Sequence, residues 1–347
     1  MANIKDVARE AGVSVATVSR VFNDSGLVSE DTRRNVRAVA ERLNYWPNGV
    51  ARSLIMNRTH AIGVLLPDLH GEFFSEVLRG IDLAARREGL HLLISSSHSD
   101  SKEVLAALRA MRGRIDGLIV MAPDVDVREA LRTGGSAFPL VLVDPGNPGQ
   151  GWDTITIANY EGAHAMTEHL LGLGHRRIAT ITGPARNVDA QQRLEGFRAA
   201  LREAGVATAP ELEITGDFTE RSGYDAAAAL LALKPRPDAV FVANDYMAVG
   251  LMSALGENDV HVPGDLAVTG FDDIALARYL RPPLTTVHVE AYQLGERAVQ
   301  RVADVLAGRV DRSAGHTHEV IAAQLVVRAS CGAPPPADGA GSRGSRP

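Results

Sequence analysis

The sequence predicts an all-α helix-turn-helix head followed by an α/β, two-lobed body built on parallel sheets. Three observations predict this. Before residue 46, apolar residues recur at helical spacing in three short segments separated by cap residues. From residue 61 onward, short continuous apolar runs alternate with amphipathic stretches, the pattern of strands covered on both faces by helices. With 347 residues, 45% hydrophobic and 22% charged, the chain has ordinary globular composition but exceeds the length at which single cores stop growing, roughly 250 to 300 residues.

The first helix starts at Asn3, whose side chain suits a free backbone N–H, with Asp6 placed to bond back and to face the positive end of the helix dipole. Val7, Ala8 and Ala11 form its apolar stripe. Gly12, able to take positive φ, stops it, and Ser14 caps a second helix over 15–23. There Val18, Val21 and Phe22 turn inward. Val15, Ala16, Thr17, Ser19 and Arg20 are left on an outer, N-terminal face, where a recognition helix reads bases. Ser29 caps a third helix, with Val36, Val39, Ala40 and Leu43 buried and Arg33, Arg34, Arg37 and Arg42 outside.

Charge divides along the chain. Of 36 Lys/Arg and 42 Asp/Glu, nine and six fall in residues 1–60, which leaves 27 and 36 in the remainder. A basic head on an acidic body brings the head to phosphate and keeps the body off it.

The segment IKDVAREAGVSVATVSRV at 4–21 resembles the N-terminal signature of the LacI/GalR repressor family, and YWPNGVARSL at 45–54 resembles its hinge at the expected distance. The resemblance implies a DNA-binding domain over 1–46, a hinge helix and linker over 47–60, and a periplasmic-binding-protein-like effector and dimerisation domain over 61–330. The Pro, Gly and Ser content of 331–347 predicts a disordered tail. DNA contacts are expected from Ser14, Val15, Ala16, Thr17, Ser19, Arg20 and Asn23, and from Ala51 and Leu54 in the hinge. Leu54 matches the family leucine that wedges into a central base step and kinks the duplex. Arg20 suits a bidentate contact to guanine or a phosphate, and Val15-Ala16 suits thymine methyls.

Candidate strands of the body lie at 61–67, 90–95, 117–121, 139–143, 178–182, 239–243 and 266–271, with a helix over 73–88. The Gly- and Pro-rich segment 145–153 suits a crossover between lobes. The resemblance implies a return to the first lobe near 287–308. Ligands in open α/β sheets bind beyond the carboxyl ends of strands, which singles out Asp68, Asp144, Asn244-Asp245 and Asp272-Asp273. The resemblance adds Arg193, in RLEGF, together with Phe73, Phe74 and Phe218. Asp68, Phe73, Phe74, Asp144, Arg193, Phe218, Asn244 and Asp272 are the expected effector contacts. Aromatic faces against C–H bonds, with carboxylate, amide and guanidinium groups for hydroxyls, suit a saccharide. Helix capping is the competing reading for Asp68 and Asp245, core packing for Phe73, and a structural turn for Asp273.

Other chemistry finds little support. There is no Walker loop, the GLG at 172–174 follows a helix and not a strand, and His164 and His169 lack metalloprotease spacing. Cys331, the single cysteine, excludes an intrachain disulfide and a Cys-based zinc site. No cofactor or metal is expected. No run reaches the roughly 18 apolar residues of a membrane span, and the polar first ten residues are unlike a signal peptide, so a cytoplasmic protein is expected. These readings converge on a transcriptional regulator, a repressor of carbohydrate-utilisation genes, that binds a palindromic double-stranded operator as a homodimer and is controlled by a sugar-like effector. Pairing of dimers into a tetramer stays open. The alternatives are a nucleobase effector, or a sugar-binding enzyme fused to a DNA-binding head.

Overall fold

The computed structural model describes residues 2–23, 28–46, 58–125, 127, 138–145, 151–310 and 315–334. The chain divides into two compact units, Met1–Ala61 with Arg114–Asp116, and Ile62–Gly113 with Gly117–Pro347.

In the first unit α1 (Ile4–Ala11), α2 (Val15–Phe22) and α3 (Glu30–Arg42) share one core of Val7, Ala8, Ala11, Val18, Val21, Val36, Val39 and Ala40, the stripes that the periodicity predicts. The capping is also as expected. Asn3 accepts the N–H groups of Lys5 and Asp6 at 2.9 and 3.3 Å, and Asp6 accepts the Asn3 N–H at 3.0 Å. Ser14 accepts from Thr17 at 3.0 Å and Ser29 from Thr32 at 3.4 Å. Such caps contribute about 1 kcal/mol each. Gly12 ends α1 at φ 66°. Two long-range contacts were not legible: Asn35 donates to the Ala11 carbonyl at 3.0 Å, and Arg42 pairs with Glu10 at 3.0 Å. Arg33, expected outside, is drawn in beside Glu30 at 3.6 Å, its side chain 14% exposed.

The second unit carries two lobes. In the first, β1 (Ala61–Leu66), β2 (His91–Ser96), β3 (Gly117–Met121), β4 (Leu140–Val143), β5 (Asp153–Ile157) and β11 (His318–Ile321) form a sheet ordered β11-β5-β4-β3-β1-β2. The β1–β3, β3–β4, β4–β5 and β5–β11 pairs are parallel. In the second, β6 (Ile178–Thr182), β7 (Glu213–Thr215), β8 (Ala239–Val242) and β9 (Ala267–Thr269) form a parallel sheet ordered β7-β6-β8-β9. The central runs of both sheets are buried, as continuous apolar strands require.

The helices of the first lobe are α4 (Glu72–Arg87), α5 (Ser101–Met111) and the returning α10 (Ala291–Leu306). Those of the second are α6 (Asn159–Gly172), α7 (Val188–Glu203), α8 (Glu220–Ala232) and α9 (Asp245–Glu257). Three helix pairs cross at glycines. A Cβ on Gly80 or Gly295 would overlap a backbone carbonyl across the α4–α10 contact, one on Gly223 or Gly250 would do so across α8–α9, and one on Gly196 would strike the Tyr160 carbonyl of α6.

The lobe boundary differs from expectation. Segment 145–153 leads into β5, which extends the first sheet beside β4, and the chain enters the second lobe only with α6. The cause is visible in DTITI, where threonine alternates with isoleucine in place of a continuous apolar run. β10 (Thr286–Val289), β11 and β12 (Ala323–Val326) are not predicted as strands because polar residues interrupt their short apolar runs. β10 and β12 pair antiparallel as a separate two-stranded sheet. Cys331, assigned to the tail by composition, instead closes a short 3-10 helix, Ala329–Cys331, and is fully buried, with Thr285 donating to its sulfur at 3.2 Å.

Candidate functional site

On α2 the outward residues separate by what already occupies them. The Ser14 hydroxyl caps the helix and meets Thr17 Oγ1 at 2.9 Å, and Ser19 Oγ accepts the Asn23 amide at 3.2 Å. Val15, which is 41% exposed, and the exposed Ala16 and Arg20 present the outer surface. Ala51 and Leu54, with the rest of 47–57, lie outside the described residues.

Between the lobes of the second unit lies a cavity of about 720 Å³. Seven of the eight predicted effector residues line it: Asp68, Phe73 and Phe74 from the first lobe, and Arg193, Phe218, Asn244 and Asp272 from the second. Asp68, Asn244 and Asp272 are there because every parallel strand delivers its following loop to the same edge, and the other four stand where the family resemblance implies.

Arg193 is the best-anchored of them. Its Nε donates to Asn159 Oδ1 at 2.8 Å and its Nη1 to the Ala243 carbonyl at 2.6 Å. Nη1 also stands 3.2 Å from Asp272 Oδ1, and the guanidinium lies 3.8 Å over the Phe271 ring. Asn244 caps α9 by accepting the Met247 N–H at 3.0 Å, and its amide donates to the Phe218 carbonyl at 3.0 Å. That bond holds Phe218 at φ 71°, and Gly183 makes room for the ring, since a Cβ there would overlap it. Asp272 sits at φ 105°, pinned by its N–H to the Val287 carbonyl at 2.8 Å. Left-handed backbone at two non-glycine lining residues is strain that the surroundings must impose. Phe73 and Phe74 meet edge to face with centroids 5.5 Å apart.

Asp144 is the exception. It is not among the residues lining the cavity; its Oδ1 accepts the Ile157 N–H at 2.7 Å, and Oδ2 is buried without a hydrogen-bond partner among the described residues. The turn at φ 42° aims this carboxylate at the crossover backbone instead. Asp68 lines the cavity while accepting the N–H groups of Leu69 and His70, a turn in the loop before α4; it does not cap that helix, whose N-cap is Gly71 without a side-chain bond. Asp245 and Asp273 are structural. Asp245 accepts from Thr286 at 2.6 Å and the Ile274 N–H at 3.0 Å, and Asp273 pairs with Arg328 at 2.6 Å.

Sequence reasoning missed Asp189 and Tyr246. Asp189 stands one helical turn before Arg193 on α7, lines the cavity, and accepts the Asn159 amide at 3.1 Å. The i,i+4 spacing of an acid and a buried arginine was the available signal. Burial raises the Asp272 carboxyl from 3.8 to about 6, with Arg193 pulling it back down. Burial also raises Asp189 to about 6, opposed by Arg193 and assisted by Asp272 and Asp124. Burial pushes Asp144 well above the ordinary range, with Asp189 adding to it. Such a floor offers acceptors and a fixed guanidinium to hydroxyl groups, and aromatic faces to C–H bonds. Among the described residues no helix is long and apolar enough to cross a membrane, and no cluster of His, Cys, Asp and Glu suits a metal ion.

Comparison with known proteins agrees with this geometry. Residues 3–48 match the family described as bacterial regulatory proteins, lacI family, and residues 167–331 match the periplasmic binding protein-like domain. The ribose operon repressor of Escherichia coli (strain K12) is 40% identical over 313 residues, 89% of this chain and 93% of that protein. The HTH-type transcriptional repressor PurR of Haemophilus influenzae (strain PittEE) is 34% identical over 332 residues, 95% of this chain and 98% of that protein. A crystal structure of the Lac repressor dimer bound to operator and the anti-inducer ONPF has a TM-score of 0.85 at 30% identity, covering 95% of this chain and 99% of that one. With relatives matching along nearly its whole length, a capped helix-turn-helix at one end and a two-lobed cleft in the remainder, the chain belongs to the lacI family of bacterial regulatory proteins.

Proposed function

We propose that this protein is a repressor of carbohydrate-utilisation genes, a regulator and not an enzyme, whose affinity for a palindromic operator is set by a small saccharide held between the lobes of its second unit. The observation that carries the reading is the cleft floor: Arg193 immobilised over Phe271 and beside Asp272, with Asn244 and three phenylalanines around it. Fixed polar groups next to ring faces match the alternating hydroxyl and C–H surfaces of a sugar. The 40% identity to a ribose operon repressor supports the same class. A nucleobase is the second reading, favoured by the PurR likeness and by Phe73, Phe74 and Phe218 as stacking surfaces.

In this reading two chains are needed, because one recognition helix covers one half-site, and the Lac repressor in its operator complex is a dimer. Val15, Ala16 and Arg20 read the major groove. Leu54, by the family resemblance, wedges the operator centre. The effector acts through its unequal affinity for two arrangements of the lobes, a coupling typically worth about 1 to 3 kcal/mol, and the operator must change effector affinity by the same factor.

The test is fluorescence anisotropy on a library of labelled palindromes, repeated with a panel of pentoses, hexoses, disaccharides and purine bases. A sugar that shifts operator affinity supports the reading. A purine base that does so alone replaces it with the second, and binding with no preference for any palindrome over random duplex refutes both.

A further inference from the structure

We propose that the cleft selects its ligand by charge, admitting an uncharged polyol and rejecting its phosphate ester, with Asp189 as the specificity-determining residue. The inference rests on the saccharide reading above and deepens it. Six carboxylates and two guanidinium groups line the cavity. The guanidinium at its floor, Arg193, is already committed to Asn159, the Ala243 carbonyl and Asp272. Asp189 is then the surplus negative charge. Only its Oδ1 is hydrogen-bonded among the described residues, to the Asn159 amide. With a carboxyl raised to about 6, it is still mostly ionised at pH 7.5.

The usual anion sites of such a fold are weakened as well. Helix N-termini attract phosphate through unbonded N–H groups and a positive dipole end. Four of them reach this cleft, and each carries an acid in its first turn: Glu72, Asp189, Glu220 and Asp245. A protein group also takes one donor at each of them. Asn187 takes the Ala190 N–H, Thr219 that of Ser222, Asn244 that of Met247, and the Tyr246 hydroxyl that of Glu72. Acceptors, in contrast, remain available. Asp272 Oδ1, on a side chain 9% exposed, has the ion pair with Arg193 at 3.2 Å and no hydrogen-bond donor of regular geometry among the described residues. A buried acceptor beside helix ends that already carry acids asks for a hydroxyl and repels an ester, and the second lining guanidinium, Arg186, leaves the six carboxylates in excess.

The experiment is calorimetric titration of the full chain at pH 7.5 with D-ribose and D-ribose 5-phosphate, and with D-glucose and D-glucose 6-phosphate, on wild type and Asp189→Asn. The amide keeps an oxygen for the Asn159 bond and removes only the charge. For whichever sugar binds, wild type should favour it over its ester at least 100-fold, and Asp189→Asn should narrow that gap at least tenfold. Should the asparagine variant not fold, Asp189→Ser takes its place. An ester bound as tightly as its sugar by wild type, or a gap unchanged on neutralising Asp189, overturns the proposal while leaving the saccharide reading intact. Heat from neither form of either sugar, together with no effect of the wider panel on operator affinity, overturns both.

Discussion

The backbone N–H of Glu72, at the start of α4 in the first lobe, donates to the hydroxyl of Tyr246 in the second lobe at 2.6 Å. The Ala275 N–H donates back across the same gap to Glu72 Oε1 at 2.8 Å, and on another side of the cleft Val188 donates to the Pro123 carbonyl at 3.3 Å. These clasps each use a single backbone N–H donor, two of them to a side-chain acceptor, which suits a cleft that must open. Replacing Tyr246 with Phe removes one clasp and leaves the Glu72 N–H unpaired, at about 1 kcal/mol. We expect a melting temperature within a few degrees of wild type and an effector dissociation rate raised several-fold, measured by stopped-flow fluorescence.

Arg193→Ala should cost more, because it strands the buried Asp272 carboxylate without its compensating charge. Loss of one partner from a buried pair typically costs about 3 to 5 kcal/mol. We expect a lower denaturant midpoint in the absence of ligand and no melting shift with any effector. A variant that keeps the effector-induced shift would place the ligand elsewhere.

The raised Asp272 carboxyl sets a sign for pH. Its folded value of about 6 lies above the unfolded 3.8, so the folded state binds the proton more tightly. The stability this confers is fully present below pH 3.8 and is lost as pH rises through 6, about 3 kcal/mol across the window. Asp189 acts in the same direction. Chemical denaturation at pH 5 and pH 7.5 should show wild type losing stability relative to Asp272→Asn as pH rises. An opposite slope would mean that the ion pair outweighs burial.

Gly250→Ala tests the helix crossing. The added Cβ meets the Glu220 carbonyl, a backbone atom that has no rotamer to escape into. Overpacking of this kind costs about 1 to 3 kcal/mol. Destabilisation by urea, with operator recognition retained at low temperature, is the expected outcome.

Arg20→Ala should lower specific operator affinity by about 1 to 3 kcal/mol if it reads a base edge, and should relax the preference at one half-site position. A uniform loss across sequences, with a shallower salt dependence, would assign it to phosphate instead.

The sequence determined the head almost completely. Its caps, its glycine stop and its buried stripes are local, and Asn3, Gly12, Ser14 and Ser29 act within four residues of themselves in the structure as in the sequence. Asp68, Asn244 and Asp272 were legible for a related reason: a parallel strand places whatever follows it at the ligand edge, so order along the chain stands in for position in space, whereas Arg193, Phe73, Phe74 and Phe218 came from the family resemblance. The lobe boundary, the buried Cys331 and the direction of Asp144 were decided by tertiary structure alone. Each depends on partners far along the chain: β4 for the alternating β5, Thr285 for Cys331, and the Ile157 amide for Asp144. So does the charge of the cleft. Whether an aspartate on α7 is a surface acid or a buried one depends on how closely Asn159, Arg193 and Asp272 surround it, and the i,i+4 spacing puts Asp189 beside Arg193 without specifying that enclosure.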